Sequence, residues 1–328
     1  MKPVQVVESL EVLINSGQPI HLWGGPGIGK SDLVRTVARK MGRNLIDVRA
    51  VLLDPVDLRG LPHVNGNNLA HWCVPDFLPK AGSGTGILFL DELNRAPMLV
   101  QNACLQLVLD RKIGEYTLPE GWDVVAAGNR LSDGGGVTKM NSALSTRFRH
   151  LDLEVDLDQW CLWANLAGID PSIVAFVRFR TELLYKFDAS ERTFPCPRTY
   201  EALSKIIASK PSPVIEHELF EGTIGKGAAV EFSAFIRLYR SLPDIDKILE
   251  NPEEAPVPKD DPASLFAVSC ALGRRATPEN FGKVVQYLDR LSQEYSVMAV
   301  KDAVARDASI ANTPTFVKWA IKNSDVVF

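Results

Sequence analysis

Short apolar runs alternate with amphipathic stretches through the first half of the chain, the pattern of a parallel sheet flanked by helices. Residues 19–23 read as a strand running into glycines, after which Leu33, Val34, Val37 and Met41 recur at helical spacing. Residues 45–51 read as a second strand. Residues 87–90 are apolar throughout, which predicts a central strand covered on both faces. Pro97 fits the first turn of a helix running to about Arg111, with Val100, Cys104, Leu107 and Val108 facing inward. Residues 123–127 and 148–155 supply a fourth and a fifth strand.

The pattern changes after Asp156. Residues 157–168, 171–186 and 198–208 carry helical periodicity with few strand signals. A Pro-rich break at 210–213 precedes a further helical stretch over 218–240. The acidic, Pro-rich segment 251–262 has the signature of a solvated loop between helices, and a last helical region runs from Ala263 onward. The predicted organisation is an α/β core over 1–156, a helical domain over 157–209 and a helical extension over 210–328.

Composition narrows the class. Of 328 residues, 46% are hydrophobic and 23% charged, which excludes a disordered or fibrous chain. The balance of 36 basic against 40 acidic residues (net charge -4) argues against a duplex-DNA binder held mainly by phosphate contacts. The five cysteines, Cys73, Cys104, Cys161, Cys196 and Cys270, never form a CxxC pair, so neither a zinc site nor a disulfide framework is expected. The N-terminal residues lack the apolar core of a signal peptide, and no apolar run approaches the ~20 residues that span a bilayer. A cytoplasmic, non-membrane protein is the expectation.

Residues Gly24, Gly25, Pro26, Gly27, Ile28, Gly29, Lys30 and Ser31 match the phosphate-binding loop G-x-x-x-x-G-K-S, with Asp32 following. Glycines let successive backbone N–H groups turn toward one anion, and the helix that follows adds its positive end. The loop stands where that chemistry needs it, after a strand and opening a helix. Lys30 is placed to reach the β- and γ-phosphates, and the Ser31 hydroxyl to ligate Mg²⁺. The apolar strand at 87–90 ends in Asp91 and Glu92. There Asp91 would hold Mg²⁺, directly or through water, and Glu92 would polarise a water for attack on the γ-phosphorus. Asn129, ending the next strand, is placed to hold that water or sense the γ-phosphate. No Asn-Lys-x-Asp guanine motif occurs, so ATP is the expected nucleotide. Arg147, Arg149 and Arg198 are each candidates to neutralise γ-phosphate charge, and spacing alone does not separate them.

Together these pieces resemble the AAA+ ATPases, and within them the MoxR-type clade related to the dynein and midasin modules. Residues 53–60 look like the segment entering this clade's insertion, 91–96 its extended second phosphate motif, and 112–122 the hairpin before the sensor strand. Asp158-Gln159-Trp160 and residues 196–200 resemble its helical lid. The resemblance implies an AAA+ P-loop core followed by an all-α lid. It assigns Asn129 to sensor 1, Arg147 to the arginine finger offered to a neighbouring subunit, and Arg198 to sensor 2. Ser145-Thr146 stand where Leu-Asp is commoner before the finger, which keeps Arg149 a rival to Arg147. It further implies an ATP-hydrolysing ring, typically a hexamer, that remodels a protein partner in chaperone-like fashion, such as one bearing a von Willebrand factor A domain.

The rival function is a nucleic-acid motor or loader of the same fold, which needs a basic, aromatic-bearing channel. Segments 63–68 and 133–139 are its candidate pore loops, and neither is basic. A nucleotide-gated switch with little turnover is disfavoured by Glu92. Elsewhere the simpler readings apply: Trp160 and Trp163 as helical core, His21 as a strand residue, and Arg178 and Arg180 as a solvated helix face. His63, His71, His150 and His217 show no metal-ligand spacing.

Overall fold

The computed structural model describes residues 1–64, 70–133, 140–242, 244–258 and 261–324. The chain forms two compact units, Met1–Asp156 and Leu157–Phe328. The first contains α1 (Pro3–Asn15), β1 (Ile20–Trp23), α2 (Lys30–Lys40), β2 (Asn44–Arg49), α3 (Pro55–Arg59), β3 (Leu61–Val64) and β4 (Ala70–Cys73). It continues with β5 (Gly86–Asp91), α4 (Met98–Asp110), β6 (Lys112–Ile113), β7 (Tyr116–Thr117), β8 (Trp122–Gly128), α5 (Ser142–Ser145) and β9 (Arg149–Asp152). Five strands make one parallel sheet in the order β2-β5-β8-β1-β9. β3 pairs with β4 and β6 with β7, both antiparallel.

Alternation along the central strands builds two cores. Ile87 and Phe89 of β5, with Val125 and Ala127 of β8, join a cluster containing Val6 and Leu10 of α1 and Val34 and Val37 of α2. Leu88, Leu90, Val124 and Ala126 point the other way, onto Val100, Cys104 and Leu107 of α4 and Leu144 of α5. Burial on both faces explains why these strands read as unbroken apolar runs. Because every pairing in this sheet is parallel, the carboxyl ends share one edge, where Trp23 is opposite both Gly128 and Asp152.

The outer strands are shorter than the sequence suggests. β9 stops at Asp152, since its ladder partner β1 is four residues long. β2 stops at Arg49, opposite the last residue of β5, and residues 50–52 turn as a 3₁₀ segment.

The second unit is helical: α6 (Leu157–Leu166), α7 (Pro171–Phe179), α8 (Pro197–Ala208), α9 (Pro213–Ile224), α10 (Lys226–Arg240), α11 (Ile245–Glu250), α12 (Pro262–Arg275), α13 (Phe281–Leu288), α14 (Gln293–Arg306) and α15 (Pro314–Lys322). Val268, Leu272, Phe281, Val284, Leu288, Val300 and Trp319 form one core. A second contact line is aromatic, with Phe232 edge-on to both Phe176 and Phe220 at 5.1 Å between ring centres.

Four expectations for this part are corrected by the structure. The expected helix over 218–240 is two helices, because Gly225 adopts φ 82°, ψ 158°, a region open almost only to glycine. The helix expected over 171–186 leaves α geometry at Arg180 and ends in a 3₁₀ turn over Thr181–Leu183. Arg178 is not solvated: it is largely buried and its guanidinium forms a two-pronged ion pair with Asp302 of α14. Arg180 is partly exposed and pairs with Glu182 and Glu231. Trp160 is core as expected, whereas Trp163 is exposed.

Candidate nucleotide site at the sheet edge

β1 feeds directly into the glycine loop, and α2 begins at Lys30. Gly27 and Gly29 take φ of 78° and 97°, the left-handed turns that let consecutive N–H groups face one point. Lys30 is buried, and its ammonium donates to Gly24 O (2.7 Å), Gly25 O (2.9 Å) and Asn129 Oδ1 (2.7 Å). Ser31 Oγ donates to Asp91 Oδ2 at 2.9 Å, and the other Asp91 oxygen accepts the Glu92 N–H at 3.0 Å. The loop, the end of β5 and the end of β8 therefore meet through four side chains: Lys30, Ser31, Asp91 and Asn129.

Glu92 holds a left-handed backbone, φ 55° and ψ 33°. That geometry costs a non-glycine residue about 1–2 kcal/mol. Its carboxylate lies 3.3 Å from Arg95 Nη1, both side chains being about one-third exposed. Asn94 Nδ2 donates to Asn129 O at 2.7 Å, so the turn after β5 holds the end of β8. A side chain at Gly128 is impossible without rearrangement: its Cβ would lie 2.2 Å from Asn94 Oδ1 and 3.0 Å from His21 Cε1. Asn94 and Arg95 fall in the 91–96 segment likened to the extended second phosphate motif, but neither they nor Gly128 had a role of their own in the sequence. Their nearness to Glu92 and Asn129 in the chain was the available signal.

His21 is fully buried beneath this edge, 4.0 Å centre to centre from the Trp23 ring, and among the described residues neither ring nitrogen has a hydrogen-bond partner. Burial holds its pKa well below the usual histidine value, with His150 and the Lys30 charge acting in the same direction. Trp23 Nε1 donates to His150 Nδ1 at 2.8 Å.

The remaining candidates lie elsewhere. Asp32 is exposed and paired with Arg35 at 2.7 Å, so its carboxylate is already engaged. Arg147 is exposed between α5 and β9 and forms no ion pair or side-chain hydrogen bond among the described residues. Its rival Arg149 donates through Nε to Gln18 Oε1 at 3.2 Å. Arg198 is exposed in the first turn of α8, in the helical unit. A cation there opposes the helix dipole, so its placement is not explained by helix stability. Of the suggested pore loops, residues 65–68 and 134–139 lie outside the described residues, as do residues 259 and 260 of the acidic loop.

The loop and strand ends fit a magnesium nucleotide. The loop offers turned N–H groups and a buried ammonium, and Ser31 with Asp91 offers the hydroxyl and carboxylate oxygens that hard cations take. Among the described residues, no cluster of three or more histidine, cysteine or acidic side chains is arranged to hold a metal. No described helix is long and apolar enough to cross a membrane.

Residues 19–148 match the family model of the AAA domain, dynein-related subfamily. With the sheet order and phosphate loop, this gives the first unit the AAA+ P-loop fold. Among solved structures, the chain is similar to the RuvB Holliday junction branch migration motor of Thermotoga maritima, at 18% identity over 88% of this chain and 86% of that one, TM-score 0.41. It is also similar to NtrX from Brucella abortus in complex with ADP, at 15% identity over 98% of this chain and 68% of that one, TM-score 0.41.

Proposed function

From the AAA domain matched over residues 19–148, we propose that this protein hydrolyses ATP and couples turnover to remodelling of a protein partner. The observation that carries the proposal is the meeting of Lys30, Ser31, Asp91 and Asn129 at one sheet edge, with Glu92 next in the chain. Lys30 would exchange its bonds to the loop carbonyls for β- and γ-phosphate oxygens. Ser31 and Asp91 would hold Mg²⁺, which supplies charge neutralisation across the phosphates. Glu92, released from Arg95, would take a proton from the attacking water as its oxygen bonds the γ-phosphorus and, in line with it, the bond to the β–γ bridging oxygen breaks to release ADP. Asn129, no longer bonded to Lys30, orients that water. Asp32 contributes only through its backbone at the start of α2.

Residues 157–209 act as the lid, with Arg198 as sensor 2, and 210–328 as a helical extension. Arg147 is the finger offered to the next subunit of a ring, typically of six. It forms no ion pair or side-chain hydrogen bond among the described residues, which favours it over Arg149, which Gln18 engages. A protein with a von Willebrand factor A domain is the partner class the MoxR-type resemblance suggests.

Hydrolysis by the purified chain tests the chemistry. Lys30→Ala should lose nucleotide binding, while Glu92→Gln should keep ATP bound with turnover reduced at least about a hundredfold. Normal turnover in Glu92→Gln would remove Glu92 from its role. The stalled variant then serves as bait with and without ATP. ATP-dependent recovery of a defined protein supports the remodeler, and recovery of nuclease-sensitive nucleic acid without one supports the motor.

A further inference from the structure

We infer that the helical unit carries a second ligand site, a pocket for a small oxyanion of phosphate or carboxylate type, walled by α6, α7, α12 and α14. The four helices enclose a cavity of about 210 Å³, with Pro171 and Val174 as its apolar wall and Asn165, Arg274 and Arg306 among its polar groups. Asp302 and the Cys270 thiol also line it.

The charges in this cavity do not cancel. Asp302 is the one carboxylate in the lining, and both its oxygens are taken by Arg178. That guanidinium is further fixed by Cys161 Sγ at 3.3 Å and Cys270 Sγ at 3.9 Å. Asp302 is thus neutralised by a buried partner and is not available to the cations beside it. Arg274 spends one N–H on Ile169 O at 3.1 Å and Arg306 one on Ala276 O, and among the described residues neither is ion-paired. Of the acids next along the chain, Asp307 attracts the Arg306 charge without forming an ion pair with it. Asp170 accepts the Ser172 N–H at 2.9 Å and Asp307 the Ser309 N–H at 3.0 Å, each capping its own turn. Arg274 and the exposed Arg306 therefore line a partly enclosed space with most of their N–H donors given to no protein acceptor among the described residues.

That arrangement selects the ligand class. A guanidinium fork matches two oxygens of one carboxylate or phosphate, and two forks on one cavity favour an anion with several oxygens. The cavity is smaller than the roughly 300–1,000 Å³ of drug-sized sites, so a nucleotide is too large and a small oxyanion is the right scale. The site lies wholly within the helical unit and does not depend on the proposed ATP chemistry.

The test uses the full chain carrying Lys30→Ala, which disables the phosphate loop as a competing anion site. Inorganic phosphate and succinate are titrated separately by calorimetry. One saturable site per chain for either anion is expected, and the arm that binds more tightly names the chemistry. Arg274→Gln with Arg306→Gln should weaken binding by at least about tenfold, roughly 1.4 kcal/mol. Asn165→Asp, which places a negative charge at the pocket without touching the arginine bonds, should weaken it similarly and guards against a misfolded arginine variant. Absence of a saturable site for both anions, or affinity unchanged in a folded Arg274/Arg306 variant or in Asn165→Asp, would overturn the inference.

Discussion

His21 shows how a single residue records its surroundings. It sits on β1, beside the edge strand β9, with no hydrogen-bond partner for either ring nitrogen among the described residues and with Trp23, Phe148 and His150 around it. Burial lowers its folded pKa, so below the unfolded value of about 6.5 the unfolded chain binds the extra proton and the folded chain resists it. The stabilisation from a neutral His21 is therefore complete above about pH 6.5 and is lost as pH falls toward the lower folded value. Chemical denaturation across that range should show His21→Phe losing less stability on acidification than the parent. At neutral pH Phe should be neutral or stabilising, since the imidazole makes no hydrogen bond that Phe would forfeit. Parallel pH profiles for the two proteins would show that His21 ionises as freely folded as unfolded. Arg178 is the contrasting case. Its charge and position on a helix read as solvated, and only Asp302, 124 residues away in the chain, makes its burial tenable.

At the scale of elements, what could be read in the sequence tracks how local the cause is. The interior strands were legible because both faces of β5 and β8 are buried, which forces unbroken apolar runs at 87–90 and 124–127. The phosphate loop was legible because its backbone requirement is met by glycines at fixed spacing. The ends of β2 and β9 were not, because ladder length is set by the neighbouring strand. The split between α9 and α10 was missed because a glycine inside a helical pattern costs only about 1 kcal/mol and is often carried through. Here it is not carried through: a Cβ on Gly225 would lie 2.7 Å from Thr193 O, and its φ and ψ exclude other residues. Gly225→Ala should destabilise the helical unit by about 2–3 kcal/mol, seen as a lower melting temperature, with nucleotide affinity of the first unit unchanged. A melting temperature equal to the parent's would mean that α9 and α10 can join into one helix at no cost.

For the whole molecule, the proposed chemistry needs more than one chain. Arg147 is exposed and has no side-chain partner among the described residues, so on this reading an isolated chain has a loop, a base and a sensor without a finger. Specific ATPase activity should then rise with protein concentration, and Arg147→Ala should lose most turnover, by a factor of roughly 10³ or more. Mixing Arg147→Ala with Glu92→Gln should restore part of it, since each mixed interface can unite an intact base with an intact finger. Failure of rescue in rings shown to mix would place the finger elsewhere, with Arg149→Ala the next variant to assay. The Lys30 ammonium finally sets a timetable. It is bonded at once to the glycine loop and to Asn129 of β8, so phosphate cannot engage it fully until those bonds yield. If ATP binds as proposed, its capture should therefore show two stages, a fast encounter and a slower handover. On the proposed reading the rate of the second should level off as ATP becomes abundant, so that each site would keep its own internal clock however much fuel surrounds it.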